Sequence, residues 1–489
     1  MNEVSRRQFL GQGAAAAGAL VIGFNPATRA WATLSQPAGP LAPGFPTFDG
    51  ALRTDGSARQ AAADDFGHIV HRLPLAVLFP ASTEDVVKLV RFARDHRIRV
   101  AGRGQGHSTY GQPQVDAGVV IDLSTLGAVH EVGPEGARVD AGATWRTLLE
   151  AALAHGLTPP TLTDYLDLSI GGTLSVGGIG GACFRHGAQV DNVLELEVVT
   201  GEGRRVTCSP SHEARLFEAV LAGLGQCALI TGATVRLRRA PAMVRLFDLL
   251  YDDLQTYADD ARTVVRDGRF DTVQGLVVPD TRPGAPRWRF QLEATACFTP
   301  PAVPDSSALL AGLRDDRSEA ALSDVSYFDY ANRLAPGVAA LMALGLWSLP
   351  HPWFDVWVPD GAAETYAGEV LAGLTEADTG GGPLLLYPTR TAPFTRPLLR
   401  LPAGELAWQF DILRTALPTS PAPELMVRDN RRLFEAVRDL GGYRYPVGAI
   451  PFSRSDWVRH FGPAWVALTE AKRRYDPAGI LTPGQGVFP

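Results

Sequence analysis

From residue 76 onward the chain alternates short apolar runs with stretches of helical period. Ala76 to Phe79 reads as a buried strand, Ser82 and Glu84 open an amphipathic helix over Asp85 to His96, and strands follow at Arg99 to Ala101 and Gly118 to Leu123. Trp145 to His155 is again helical and stops at Gly156. Alternating strands ELEVVT and RRVTC flank Gly201-Glu202-Gly203, a hairpin signal. The helix LFEAVLAGLG and the strand ALITGATVRLRR close this region near Arg239. Beyond Ala240 the pattern shifts to strands such as VQGLVVP and WRFQLEATACF with intervening helices, which predicts a second, α+β domain. The tail after residue 441 reads as a helix, a Pro/Gly turn and a short strand, a form that docks back onto a preceding domain. Residues 33–63 are rich in Pro, Gly, Ala and Ser and read as a linker, with order beginning near Asp65. The expected division is therefore 1–32, 33–63, 64–240, 241–440 and 441–489.

Composition narrows the function classes. A chain of 489 residues that is 46% hydrophobic buries a large core and splits into more than one domain. A net charge of -7 with no basic stripe argues against nucleic acid as a partner and for a small-molecule substrate. The only lysines are Lys88 and Lys472, neither in a phosphate loop nor placed as a Schiff base. The four cysteines, Cys183, Cys208, Cys227 and Cys297, lie too far apart for a zinc knuckle or iron–sulfur cluster, so no metal is expected.

At the N-terminus, Arg6-Arg7, then Phe9-Leu10 and a short Ala/Gly-rich run, look like a twin-arginine export signal with Ala30-Trp31-Ala32 as a candidate cleavage site. This predicts a periplasmic or secreted protein, carried across already folded with its cofactor and without a stable membrane span. The alternative is an ordinary amphipathic or disordered start.

Two glycine-dense stretches carry the candidate chemistry. The first, Gly102-Arg103-Gly104-Gln105-Gly106-His107, fails as a dinucleotide fingerprint, because His107 stands where a small residue is needed and no helix follows. Gly106-His107-Ser108 is not a nucleophile elbow either, since Tyr110 replaces its last glycine. What remains is a loop whose backbone N–H groups can cradle a diphosphate, or a plain turn with a surface histidine. The second stretch, from Asp164 to Gly181, repeats glycine at a density that costs folding entropy. Such density suits backbone that approaches a flat or charged ligand closely. Two such loops in one domain suggest one long ligand.

On GRGQGHS with Gln112, TDYLDLSIGGTLSVGGIGG, FRHGAQVDNVLELEVVTGEG, LFEAVLAGLGQCALIT, HPW at 351–353 and YDPAGILTPGQGVF, the chain resembles vanillyl-alcohol-oxidase-type flavoproteins, and among them the cytokinin dehydrogenases. The resemblance spans nearly all the chain after the signal. It implies an α+β fold: a PCMH-type FAD-binding domain beneath an antiparallel-sheet cap domain. It implies FAD bonded through its 8α-methyl to His107 alone, since relatives with a second tether carry Cys where this chain has Tyr165. Cofactor contacts are implied from Gly102, Gly104, Gly106, Ser108, Gln112, Asp164, Ser169, Ser175, Ile179, Ile230, Thr482 and Gln485. Tyr445 is added, although the motif around it departs from the plant pattern.

By the same resemblance Asp164 takes a proton from the substrate N–H while a hydride leaves the neighbouring carbon for the flavin. A carboxylate set against apolar rings is a usual device for such a base. On spacing alone Asp164 could equally cap a turn. His186 and His351 are read as structural hydrogen-bonding residues. In the cap, the plant enzymes place a glutamate where this chain has Gln274, and a tryptophan where Phe394 is expected to line the roof. A glutamine still hydrogen-bonds but carries no charge, so substrate or affinity should differ. The expected activity is hydride transfer from a small amine, with an N⁶-alkyl adenine leading and oxygen or a quinone-like molecule as acceptor. A sugar or aromatic alcohol substrate on the same fold, or a flavin carrier without turnover, are the alternatives.

Overall fold

The computed structural model describes residues 21–33 and 44–488. The first body is built on two main sheets. In one, Ala76–Phe79, Val119–Asp122 and Val100–Arg103 run parallel and Ala51–Arg53 adds an antiparallel edge. The crossover helix Thr83–Asp95 covers this sheet with Val86, Val87, Leu89, Val90 and Phe92. The other sheet is antiparallel and five-stranded, and includes the hairpin Val193–Thr200 with Arg205–Cys208 beside Ala228–Arg236.

Two local expectations change. Residues 51–62 are not linker: they form the edge strand and a helix, Gly56–Ala62, capped by the Asp55 side chain accepting from Ala58 N. Ser82 starts its helix without a side-chain cap bond. The buried Asp85 acts instead, its carboxylate accepting from the backbone N–H groups of Asp49, Gly50 and Ala81 at 2.8–2.9 Å. That carboxylate ties the N-terminal segment to the helix start, which no local pattern announces.

Arg6 and Arg7 lie outside the described residues. The hairpin Val21–Asn25 with Ala30–Thr33, which contains the candidate cleavage site, packs Phe24 and Trp31 against Phe92. Among the described residues no helix is long and apolar enough to cross a membrane.

The second body is an eight-stranded antiparallel sheet whose central strands, in order, are Trp288–Phe298, Thr272–Pro279, Leu384–Arg390, Leu406–Ile412 and Phe354–Pro359. Strand side chains alternate faces. Val273, Val277, Leu292, Leu386, Phe410 and Val356 point to one side, where the helices Leu254–Asp267, Ala363–Gly373 and Pro423–Asp439 supply a second apolar core. The other side faces the first body. The chain ends with helices Arg454–Phe461 and Ala464–Tyr475, then returns to the first body, where Leu481 bridges Val100.

Candidate active site

A cavity runs between the two bodies, and both glycine stretches line it. The first loop leaves the strand Val100–Arg103 and turns at Gly106, which has φ +66°. It is pinned from behind by Asp65, whose carboxylate accepts from Gly111 N at 2.7 Å and Ser108 Oγ at 3.1 Å. The half-buried His107 ring stacks on Phe66 with centroids 4.2 Å apart, near Tyr165, Trp347 and Trp353. Burial, with His351 adding to it, pushes the imidazole down to about 3, so it is neutral and nucleophilic at neutral pH.

The second loop meets the first: a Cβ on Gly104 would lie 1.9 Å from Ser169 Oγ. Gly102, Gly104, Gly106, Ser108, Gln112, Ser169, Ser175, Ile179, Ile230, Tyr445 and Gln485 all line the cavity. Gln112 spends its amide on the protein, accepting from Tyr110 N at 2.6 Å and donating to Val447 O at 2.9 Å. The Tyr445 hydroxyl accepts from Gly178 N at 2.9 Å. Thr482 sits just behind the lining, its backbone N–H bonded to Val100 O.

These residues fit a dinucleotide. Thr482 Oγ1 and Gln485 Oε1 are buried without a partner among the described residues, as expected of groups kept for a polar ligand. Gly225, at φ +68°, lines the cavity, and an added Cβ would meet only Pro483 at 3.8 Å. Glycines along the wall leave backbone open to a pyrophosphate.

Asp164 lines the cavity at the meeting of loop and cap. Its surroundings are polar rather than a set of apolar rings. Oδ2 accepts from Gln274 Nε2 at 2.7 Å and Oδ1 from Arg333 Nη2 at 2.8 Å, while the same guanidinium nitrogen donates to Gln274 Oε1 at 2.6 Å. Arg333 also lies 3.2 Å from Glu293 Oε1, at ion-pair distance but outside hydrogen-bond geometry. Its guanidinium sits 4.5 Å over the Tyr330 ring. Burial raises the Glu293 carboxyl, Arg333 opposing.

Register explains the roof. Asp248 pairs with Glu293, Glu293 with Gln274, and Tyr387 with Gln409, so one face of the sheet carries a row of polar side chains, of which Gln409 lines the cavity and Gln274 reaches it only through its bond to Asp164. Asp411 and Asp355 pair one step along the same face. Alternation should place apolar residues on a buried face, so this row is a departure from packing logic and marks the site.

Phe394 does not line the roof. It follows the strand Leu384–Arg390 in a loop, and its ring packs 6.0 Å from Trp357. The aromatic side chains at the cavity are Tyr165, Trp353 and Tyr445, with Leu334 and Leu413 adding apolar wall. His351 stacks on Phe66 at 4.1 Å and lies 3.3 Å from Thr415 Oγ1, while the His186 carbonyl accepts from Asn192 Nδ2 at 2.8 Å. Arg333, Glu293, Tyr387, Gln409, Asp411 and Asp355 were not singled out from sequence. For Gln409 and Asp411 a signal existed, as polar positions on one face of the strand LAWQFDI.

The FAD binding domain family matches residues 74–209, and the family described as cytokinin dehydrogenase 1, FAD and cytokinin binding, matches residues 303–488. Cytokinin dehydrogenase 1 of Oryza sativa subsp. japonica is 36% identical over 497 residues, covering 91% of this chain and 93% of its own length. A protein of Rhodococcoides fascians named "Uncharacterized oxidoreductase ORF5 in fasciation locus" is 40% identical over 437 residues, covering 89% of this chain and 99% of its own. Among solved structures, 6-hydroxy-D-nicotine oxidase of Arthrobacter nicotinovorans superposes with TM-score 0.70 at 20% identity, covering 92% of this chain and 100% of its own. A VAO-type flavoprotein of Myceliophthora thermophila gives 0.67 at 18% identity, over 89% and 86%. The polar roof and the glycine-lined cavity therefore belong to an FAD-dependent oxidoreductase, and the chain is a member of the cytokinin dehydrogenase family with the vanillyl-alcohol-oxidase-type fold.

Proposed function

We propose that this protein oxidises the C–H bond beside a secondary amine, with N⁶-alkyl adenines as the substrate class, on FAD bonded to His107. The observation that carries the reading is the Asp164 carboxylate held at the cavity edge by Gln274 and Arg333. Bound there, FAD supplies the two-electron acceptor for the departing hydride. Asp164 accepts the N–H proton; hydrolysis of the resulting imine releases adenine and an aldehyde. Gln274 Nε2 and Arg333 Nη2 fix the carboxylate's orientation, and Trp353, Leu334 and Leu413 exclude water from the reacting carbon.

The neutral imidazole of His107, stacked on Phe66 and bordering the cavity, supports the single covalent bond. Re-oxidation by oxygen or a quinone-like acceptor, and export of the folded protein through the twin-arginine route, belong to the same reading.

The test has two arms. Acid-precipitated protein should keep its yellow colour in the pellet and His107→Ala should release it; a white native pellet removes the tether. Anaerobically, N⁶-alkyl adenines should bleach the flavin, and Asp164→Asn should slow bleaching at least 100-fold. Bleaching by sugars or aromatic alcohols alone would move the substrate class. A flavin that stays oxidised with every donor would leave a carrier without turnover.

A further inference from the structure

The cap sheet adds a second acidic group to the cavity, apart from Asp164. Asp355 and Asp411 stand opposite each other on neighbouring strands, line the cavity, and are 4% and 1% exposed. Carboxylates are rarely buried unpaired, and two facing each other repel when both are ionised. An apolar pair would pack here at less cost, so the arrangement asks for a use.

Hydrogen bonding covers the pair on one side only. Gln409 donates through Nε2 to Asp411 Oδ2, and Gln409 is itself oriented by the Tyr387 hydroxyl, which donates to its Oε1 at 2.7 Å. Among the described residues Asp411 Oδ1 and Asp355 Oδ2 have no hydrogen-bond partner. Beside the free Asp355 oxygen the chain has Gly448, where a Cβ would lie 2.4 Å away. Arg444 is the nearby cation, but it donates to the carbonyls of Ile450 and Gly448 at 2.8 Å.

We propose that Asp355 and Asp411 form a recognition pair that selects a planar ligand presenting an amidinium-type edge, two in-plane N–H groups on one N–C–N unit, cationic when bound. The deduction rests on reading this cavity as the substrate site and extends it. Asp164 would then meet the N–H beside the carbon that is oxidised, and the acid pair the opposite nitrogen edge of the same planar ring. Burial raises both carboxyls, and for Asp411 the facing Asp355 adds to the rise, Arg444 opposing at Asp355. A cation between the two carboxyls relieves their repulsion, and a neutral amide of the same shape does not.

The probes are benzamidinium and its neutral isostere benzamide, titrated into the holoprotein and read from the absorbance change of the bound flavin. Benzamidinium should bind at least 10-fold more tightly. Asp355→Asn and Asp411→Asn should each erase most of that ratio by weakening benzamidinium alone; Asp411→Ser serves if an Asn variant does not fold. Equal affinity of the two probes for the unaltered protein, or a ratio that survives the substitutions, overturns the proposal. Bleaching by an N⁶-alkyl adenine, followed in the same samples, separates the two readings. Bleaching without a ratio removes the acid pair alone, and a pair-dependent ratio without bleaching removes the adenine assignment alone.

Discussion

Arg333 Nη2 donates to Asp164 Oδ1 at 2.8 Å across 169 residues of sequence, joining the cap to the loop that carries the proposed base. The guanidinium holds Asp164, Gln274 and Glu293 together, and nothing else among the described residues ion-pairs with Asp164 or Glu293. Arg333→Leu should therefore lower kcat at least 10-fold while flavin content stays constant. Removing the cation from two partly buried carboxylates should cost about 2 kcal/mol, less than for a fully buried pair, read from urea unfolding. Unchanged kcat would place Arg333 outside the chemistry.

The contact between the two glycine loops makes a paired prediction. Gly104→Ala pushes a methyl group into Ser169 Oγ, 1.9 Å away, and should reduce flavin loading. Ser169→Ala removes that oxygen, leaving Ser169 Cβ at 3.0 Å. The double variant should regain part of the lost loading, measured as flavin absorbance per protein. Additive losses would show that backbone freedom at Gly104, rather than this contact, is what matters.

Lys472 lies in a charged run yet is 7% exposed. Its ammonium donates to Gln226 O at 2.9 Å, Leu481 O at 2.7 Å and Asp476 Oδ2 at 2.7 Å, locking the C-terminal tail onto the first body. Lys472→Met should destabilise by about 3–5 kcal/mol, because Asp476 is left buried without its cation. Thr482 and Gln485 follow directly, so flavin retention on heating should fall with it.

Burial, with Arg444 and Arg400 adding to it, pushes the His460 imidazole down to about 3, and its Nδ1 has no partner among the described residues. The unfolded chain binds this proton near pH 6.5 and the folded one does not. Stability is therefore fully present above pH 6.5 and is lost as pH falls toward 3. From pH 7.5 to 5.5 this one group should cost about 1 kcal/mol. His460→Phe should flatten that part of the stability profile in chemical denaturation across the same range. An unaltered slope would assign it to His107, His186 and His351, which burial lowers as well.

Much of the site was legible in the chain because its signals are local. Glycine density at Gly102–Gly106 and Gly171–Gly181 follows from backbone geometry, and helix and strand periods follow from which residues must face a core. Those patterns, with the motifs around them, place His107, Ser169, Asp164 and Gln274 in one family frame. The edge strand Ala51–Arg53 was hidden because its anchor, Asp85, is distant in sequence. Phe394 was misplaced because matching it to a plant tryptophan along the chain cannot tell that the chain has already left the strand at Arg390.

The sequence by itself determined the two glycine loops, whose signals are local, and carried the motifs whose resemblance to a known family implies FAD and Asp164 as the base. Only the tertiary structure decided what surrounds that base. The register of six strands aligns Asp248, Glu293, Gln274, Tyr387 and Gln409 in one row, and places Asp355 against Asp411 beside it. A one-residue slip in any of those strands would turn its side chains to the helix-covered face, so the charge of the pocket is a property of pairing rather than of any stretch of sequence.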